Sequence, residues 1–196
     1  MDDSTLAIVA FAVAAIVVLA LAWFLFTRTR SRRLKESFGP EYDREVSKSG
    51  RSEGEKHLAE RRKRVEEYDL HSLSADDRVR YVRRWDEVQA RFVDDPSAAV
   101  GDAQHLVDEV MEARGYPVGD IQRQQEDVSV ENPGVVGHYR RAREIARRNE
   151  AGESSTEDLR LAMQHYRALF ESLLEGGGTR EEKRAGKPRG KEAHVR

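Results

Sequence analysis

The chain has 196 residues, no cysteine, 36% charged residues and a formal net charge of -2. These values exclude disulfides, thiolate metal sites and thiol catalysis, and they leave length for one modest soluble domain with a lean apolar core. A basic cluster near the N-terminus and a basic stretch after Glu175 flank an acidic body, which is not the profile of a nucleic-acid binder.

The first element in chain order is an uninterrupted apolar run from Leu6 to Phe26. At 1.5 Å per residue it covers about 30 Å, the hydrocarbon thickness of a bilayer, so a transmembrane helix is predicted over 6–26 behind a short extracytoplasmic N-terminus, 1–5. Asp2 and Asp3 precede the run, whereas Arg28, Arg30, Arg32, Arg33 and Lys35 follow it. Basic residues beside a span are retained on the cytoplasmic side, which predicts a single-pass protein of a bacterial inner membrane, N-terminus outside and C-terminal domain in the cytoplasm. The same five side chains are candidate contacts for anionic lipid headgroups, each worth about 1 kcal/mol near a charged leaflet. Export after signal-peptide cleavage is the competing reading, since Ala20-Leu21-Ala22 has the form of a cleavage site. The acidic n-region, the length of the apolar run and its continuation through Trp23-Phe24-Leu25-Phe26 oppose it.

A basic juxtamembrane segment and linker is expected over 27–54. Leu34, Phe38, Tyr42 and Val46 recur every four residues, with Gly39-Pro40 imposing a bend and 47–54 reading as a loop. A soluble helical domain is then predicted over 55–175. Its first helix, Glu55 to Glu67, is nearly all polar and reads as a solvated helix laced by its own ion pairs, Glu60 with Arg64 and Lys63 with Glu67. Ser74 with Asp77 caps a helix running to about Phe92, with Tyr81, Trp85, Val88 and Phe92 as its apolar stripe beside Val82. Asp95-Pro96 opens a second, which places Ala99, Ala103, Leu106, Val107, Val110 and Met111 inward before Gly115 and forms a hairpin with the first. Asp120 to Asp127 reads as a short Gln-rich helix. Asn132-Pro133 opens another running to about Asn149, and Ser155 with Asp158 caps the last, whose Leu159, Ala162, Met163, Tyr166, Leu169, Phe170 and Leu173 form the strongest stripe in the chain. Residues 176–196 read as a disordered basic tail. No stretch alternates with period two, so the fold class is all-α: one N-terminal transmembrane helix followed by a cytoplasmic helical bundle.

Chemistry-bearing motifs are scarce. No His-Glu-x-x-His, Gly-x-Ser-x-Gly or phosphate-cradling glycine loop occurs. No His has a Glu three residues before it, as a bundle dimetal site would require. His105 shares a helix face with Asp102 and Glu109, and His138 and His165 are placed to meet across the bundle. Neither arrangement supplies a full ligand set, and no cofactor is expected. Tyr139, Arg140, Arg143 and Arg147 form the best basic and aromatic patch in the body. With Phe38 and Tyr42 they are the candidate partner surface.

Phe38-Gly39-Pro40-Glu41-Tyr42-Asp43-Arg44 just after a span resembles an uncharacterised family of bacterial single-pass membrane proteins. Arg91-Phe92-Val93-Asp94-Asp95-Pro96, Arg114-Gly115-Tyr116-Pro117 and the stretch from Ser155 to Phe170 extend the resemblance over most of the chain. It implies the anchor-plus-helical-domain layout and no activity. The resulting expectation is a membrane-anchored, non-enzymatic interaction or scaffold module with an unknown protein partner. An enzyme or metal-binding protein using His105, His138 or His165 is the alternative, and a membrane-tethered nucleic-acid binder is a third.

Overall fold

The apolar run and the arginines behind it form one continuous helix in the computed structural model, which describes residues 3–117 and 119–176. This helix, α1 (Asp3–Phe38), is followed by α2 (Pro40–Ser49), α3 (Arg51–Glu66), α4 (Ala75–Arg91), α5 (Pro96–Ala113), α6 (Ile121–Glu131), α7 (Val136–Glu150) and α8 (Thr156–Glu175). The described residues contain no β-strand, and the fold is all-α. Two compact units divide the chain, Met1–Ala59 and Glu60–Arg196. Residues 177–196, where the basic tail was expected, lie outside the described residues.

In the first unit, α1 does not stop where its apolar surface ends. It runs on from Phe26 for about three further turns, then breaks at Gly39, whose φ of 49° is a conformation that L side chains rarely adopt. Pro40 takes the first position of α2, as its fixed φ and missing N–H favour. The four-residue repeat is a packing face: Leu34, Phe38 and Tyr42 are buried. The loop expected over 47–54 is instead two helix ends meeting at Gly50, with φ 78°. Polar composition suits a loop and a solvated helix equally, and a tertiary contact decides between them. At Gly54, a Cβ would lie 3.1 Å from the Glu45 carbonyl oxygen and the Val46 Cα, so α3 approaches the α2 backbone where only glycine fits without displacement.

The second unit is built around α5 and α8. α8 packs on α5 and α7, α4 on α5, and α6 on α7. Local signals set the helix starts: the Ser74 hydroxyl accepts from the Asp77 N–H, the Asp95 carboxylate from the Ala98 N–H, and Ser155 with Asp158 forms a reciprocal capping box. Every predicted inward residue of α5 and α8 is buried. On α4, Tyr81 and Trp85 are buried and Val88 and Phe92 partly so, while Val82 stays 44% exposed. Trp85 stacks on Phe170 at 4.9 Å, joining the hairpin to the last helix.

Two expectations are corrected here. Asn132 does not open α7; it ends α6, donating its N–H to the Val128 carbonyl, and α7 begins at Val136 after a turn through Pro133 and Gly134. The final turns of α3 are not simply solvated, because Arg64 reaches Asp127 at 2.7 Å and Arg61 is buried near Glu126. The Tyr68 hydroxyl donates to the same Asp127 at 2.7 Å. A buried carboxylate thus holds the end of α3 to α6.

Candidate functional site

Described side chains along the apolar part of α1 face outward: Phe11, Ile16, Leu19, Trp23 and Phe26 are all more than half exposed. Among the described residues one helix is long and apolar enough to cross a membrane, over Ala14–Phe38, with 6% of its most apolar stretch buried within the protein. Burial of that degree is not what the core helix of a soluble protein shows. Arg28, Arg30, Arg32, Arg33 and Lys35 are all exposed, and Lys35 pairs with Asp43 at 3.0 Å.

The candidate partner surface fares differently. Phe38, Tyr42 and Tyr139 are buried and cannot present a contact face in this fold. Phe38 and Tyr42 close the bend between α1 and α2, where the Tyr42 hydroxyl donates to Glu55 at 2.8 Å. Tyr139 lies in the bundle core, its hydroxyl 3.3 Å from Gln124 Oε1 and 3.4 Å from Asp108 Oδ1. Burial pushes the Tyr139 phenol far above its usual range, with the Asp108 charge adding to the effect. Arg143 turns inward to Asp108 at 3.3 Å, Arg140 is half-buried, and Arg147 stays exposed. An aromatic beside arginines looks like a surface patch in sequence, whereas the helix period assigns Tyr139 to the core.

His138 and His165 do meet, Nδ1 to Nδ1 at 2.8 Å, with one ring therefore donating to the other. Partial burial, then the facing His138 and Arg141, hold the His165 imidazole below its ordinary pKa. His105 is exposed on α5 beside Glu109. No group of three or more His, Asp or Glu side chains among the described residues is arranged to hold a metal ion.

Sequence reasoning missed an open groove between α4 and α8. It encloses about 340 Å³ and is lined by Trp85, Gln89 and Phe92 from one helix and Arg160, Met163, Gln164 and Arg167 from the other. Both helices rest on α5, and the gap between them keeps Met163 and Trp85 at the floor. The Trp85 indole N–H is buried without an acceptor, which costs roughly 1–3 kcal/mol. Val79 and Val82 of α4 and Val93 just after it are also exposed, at 52%, 44% and 83%. The spacing 82, 85, 89, 92, 93 carried the signal, since an apolar arc wider than one neighbouring helix needs leaves an unpartnered edge.

Comparison with protein families, with curated proteins and with solved structures finds no match for this chain.

Proposed function

We propose that this protein is a membrane-anchored helical module of a bacterial inner membrane, N-terminus outside, whose cytoplasmic bundle binds a protein partner and catalyses no reaction. The exposed apolar face of α1 and the one-sided cluster of basic residues after it support the anchor and its direction. Kinship with single-pass proteins bearing the Phe-Gly-Pro-Glu-Tyr-Asp motif belongs to the same reading.

The observation that carries partner binding is the α4–α8 groove with Trp85, Phe92 and Met163 in its lining. Its occupant is a segment presenting apolar side chains to Trp85, Phe92 and Met163 and polar groups to a rim where Arg160 pairs with Glu157 and Arg167 with Glu171. A photo-crosslinker placed at Gln89 or Gln164 in the full-length chain should trap one discrete species in the native membrane, and the same group at Arg62 should not. Equal trapping at all three positions, or equal partner recovery after the soluble domain is deleted, would overturn the proposal.

The His138–His165 contact favours one second reading, binding of a metal ion by the pair. Stoichiometric metal in the purified chain, lost in the His138→Ala/His165→Ala variant, would establish it.

A further inference from the structure

We infer that the cleft between α1 and the first turns of α3 is a binding site for the phosphate of an anionic lipid headgroup. The cleft encloses about 500 Å³ and is lined by Phe24, Arg28 and Ser31 of α1 and by Arg51, Ser52 and Glu55 of α3. All six lie in the first unit. Phe24, Arg28 and Ser31 follow one another at four and three residues and so share a face of α1. Phe24, 57% exposed, belongs to the apolar run, and Arg28 stands one turn beyond it. Along α1 the lining therefore passes from apolar to cationic, in the order that acyl chain and headgroup would require at the inner boundary of a span.

The polar groups are arranged for an anion despite the carboxylate among them. Glu55 Oε1 accepts from the Tyr42 hydroxyl at 2.8 Å and from Arg51 Nε at 3.1 Å. Burial raises the Glu55 pKa, but hydrogen bonds from Ser31, Tyr42 and Arg51 together outweigh it and hold the carboxyl below its usual range. Glu55 is thus charged, satisfied and fixed, and it orients Arg51 through Nε alone. The Arg28 guanidinium is exposed, and Arg51, although held by Glu55 and lying against the Tyr42 hydroxyl, remains 66% exposed. Two guanidinium groups lining one cleft from two helices, with the exposed Ser52 on the same lining, match the charge and the acceptor-rich surface of a phosphate ester. The start of α3, where N–H groups lack intrahelical acceptors, adds to the same field.

This inference rests on α1 being the membrane anchor, and the test separates the two. The full-length chain is extracted from membranes and reconstituted in nanodiscs of phosphatidylglycerol mixed with phosphatidylcholine, and co-purifying lipid is counted by native mass spectrometry. About one phosphatidylglycerol per chain should be retained, and the Arg28→Gln/Arg51→Gln pair should lower retention at least about tenfold, whereas Arg30→Gln/Arg33→Gln, with the same charge change, should leave it intact. Equal loss in both pairs would reduce the effect to diffuse attraction and overturn the site. Equal retention of phosphatidylcholine would overturn the anionic selectivity. Displacement of lipid by millimolar inorganic phosphate would assign the cleft to a soluble phosphate and overturn the lipid as its source. A chain released by carbonate washing before extraction would refute the anchor itself, while an integral chain without selective retention would refute only the cleft.

Discussion

Buried arginines distinguish the two regions of this molecule. Along α1 and the start of α3, Arg28, Arg30, Arg32, Arg33 and Arg51 all lie in solvent. In the bundle many arginines, Arg78, Arg147 and Arg167 among them, are also exposed, but a few go inside. Arg114 is 2% exposed and its guanidinium donates to the Leu173 and Gly176 carbonyls while facing Glu131 at 3.6 Å. Arg143 and Arg64 reach Asp108 and Asp127 from other helices. Outward arginines face solvent or pair with carboxylates of their own helix, and inward ones hold helices that a lean apolar core would secure less firmly. A charged composition therefore says little about surface charge until each guanidinium has been traced to its partner.

Substituting one arginine from each set is the strongest way to break the contrast. Arg114→Met removes the donors that cap the end of α8 and should cost about 3 kcal/mol, lowering the melting temperature of the detergent-solubilised chain by about 10 °C. Arg33→Met should stay within about 0.5 kcal/mol. Equal shifts would show that burial of Arg114 carries no stability.

Glycines sharpen the contrast next. Gly115 has φ 90°, and a Cβ there would lie 2.4 Å from the Asp69 carbonyl oxygen, whereas Gly39 has φ 49° and open space around it. Gly115→Ala should cost about 2–3 kcal/mol and Gly39→Ala about 1 kcal/mol, read from denaturant midpoints. Arg143→Met should follow at about 1–2 kcal/mol at neutral pH. Burial raises the Asp108 pKa against the opposing charge of Arg143, so removing that charge raises it further. A carboxyl whose folded pKa is raised favours folding once protonated, so part of the loss should be recovered as pH falls toward the carboxylate range.

The smallest effect concerns the histidine pair. Because the His165 pKa is depressed in the folded chain, its contribution is present above the ordinary imidazole range and is lost as pH falls through it. His165→Gln should flatten the melting-temperature profile between neutral pH and about 5.5 by about 1–2 °C. An unchanged slope would remove the pair as a source of pH sensitivity.

What could be read in advance was mostly local. Ser74 with Asp77, Asp95 with Pro96 and Ser155 with Asp158 announce helix starts because cap and capped N–H lie within one turn. The four-residue repeat through Leu34, Phe38 and Tyr42 marked a packing face, which is the reason that assigning Phe38 and Tyr42 to a partner surface fails. What stayed hidden depends on distant residues. Nothing near Arg64 in sequence points to Asp127, and nothing near Arg114 points to the carbonyls of α8. Asn132 misled because the same residue type ends helices as well as starting them. The groove was harder still, since an empty space between α4 and α8 has no residue of its own.

The seat Arg114 takes at the end of α8 also sets a limit for anyone trimming the polypeptide. A version stopped at Glu175 would keep every described helical residue and yet delete the backbone oxygen of Gly176 that Nη2 grips. Its new terminal carboxylate would be the nearest substitute acceptor, so cuts on either side of position 176 should give bundles that hold their last helix by different bonds.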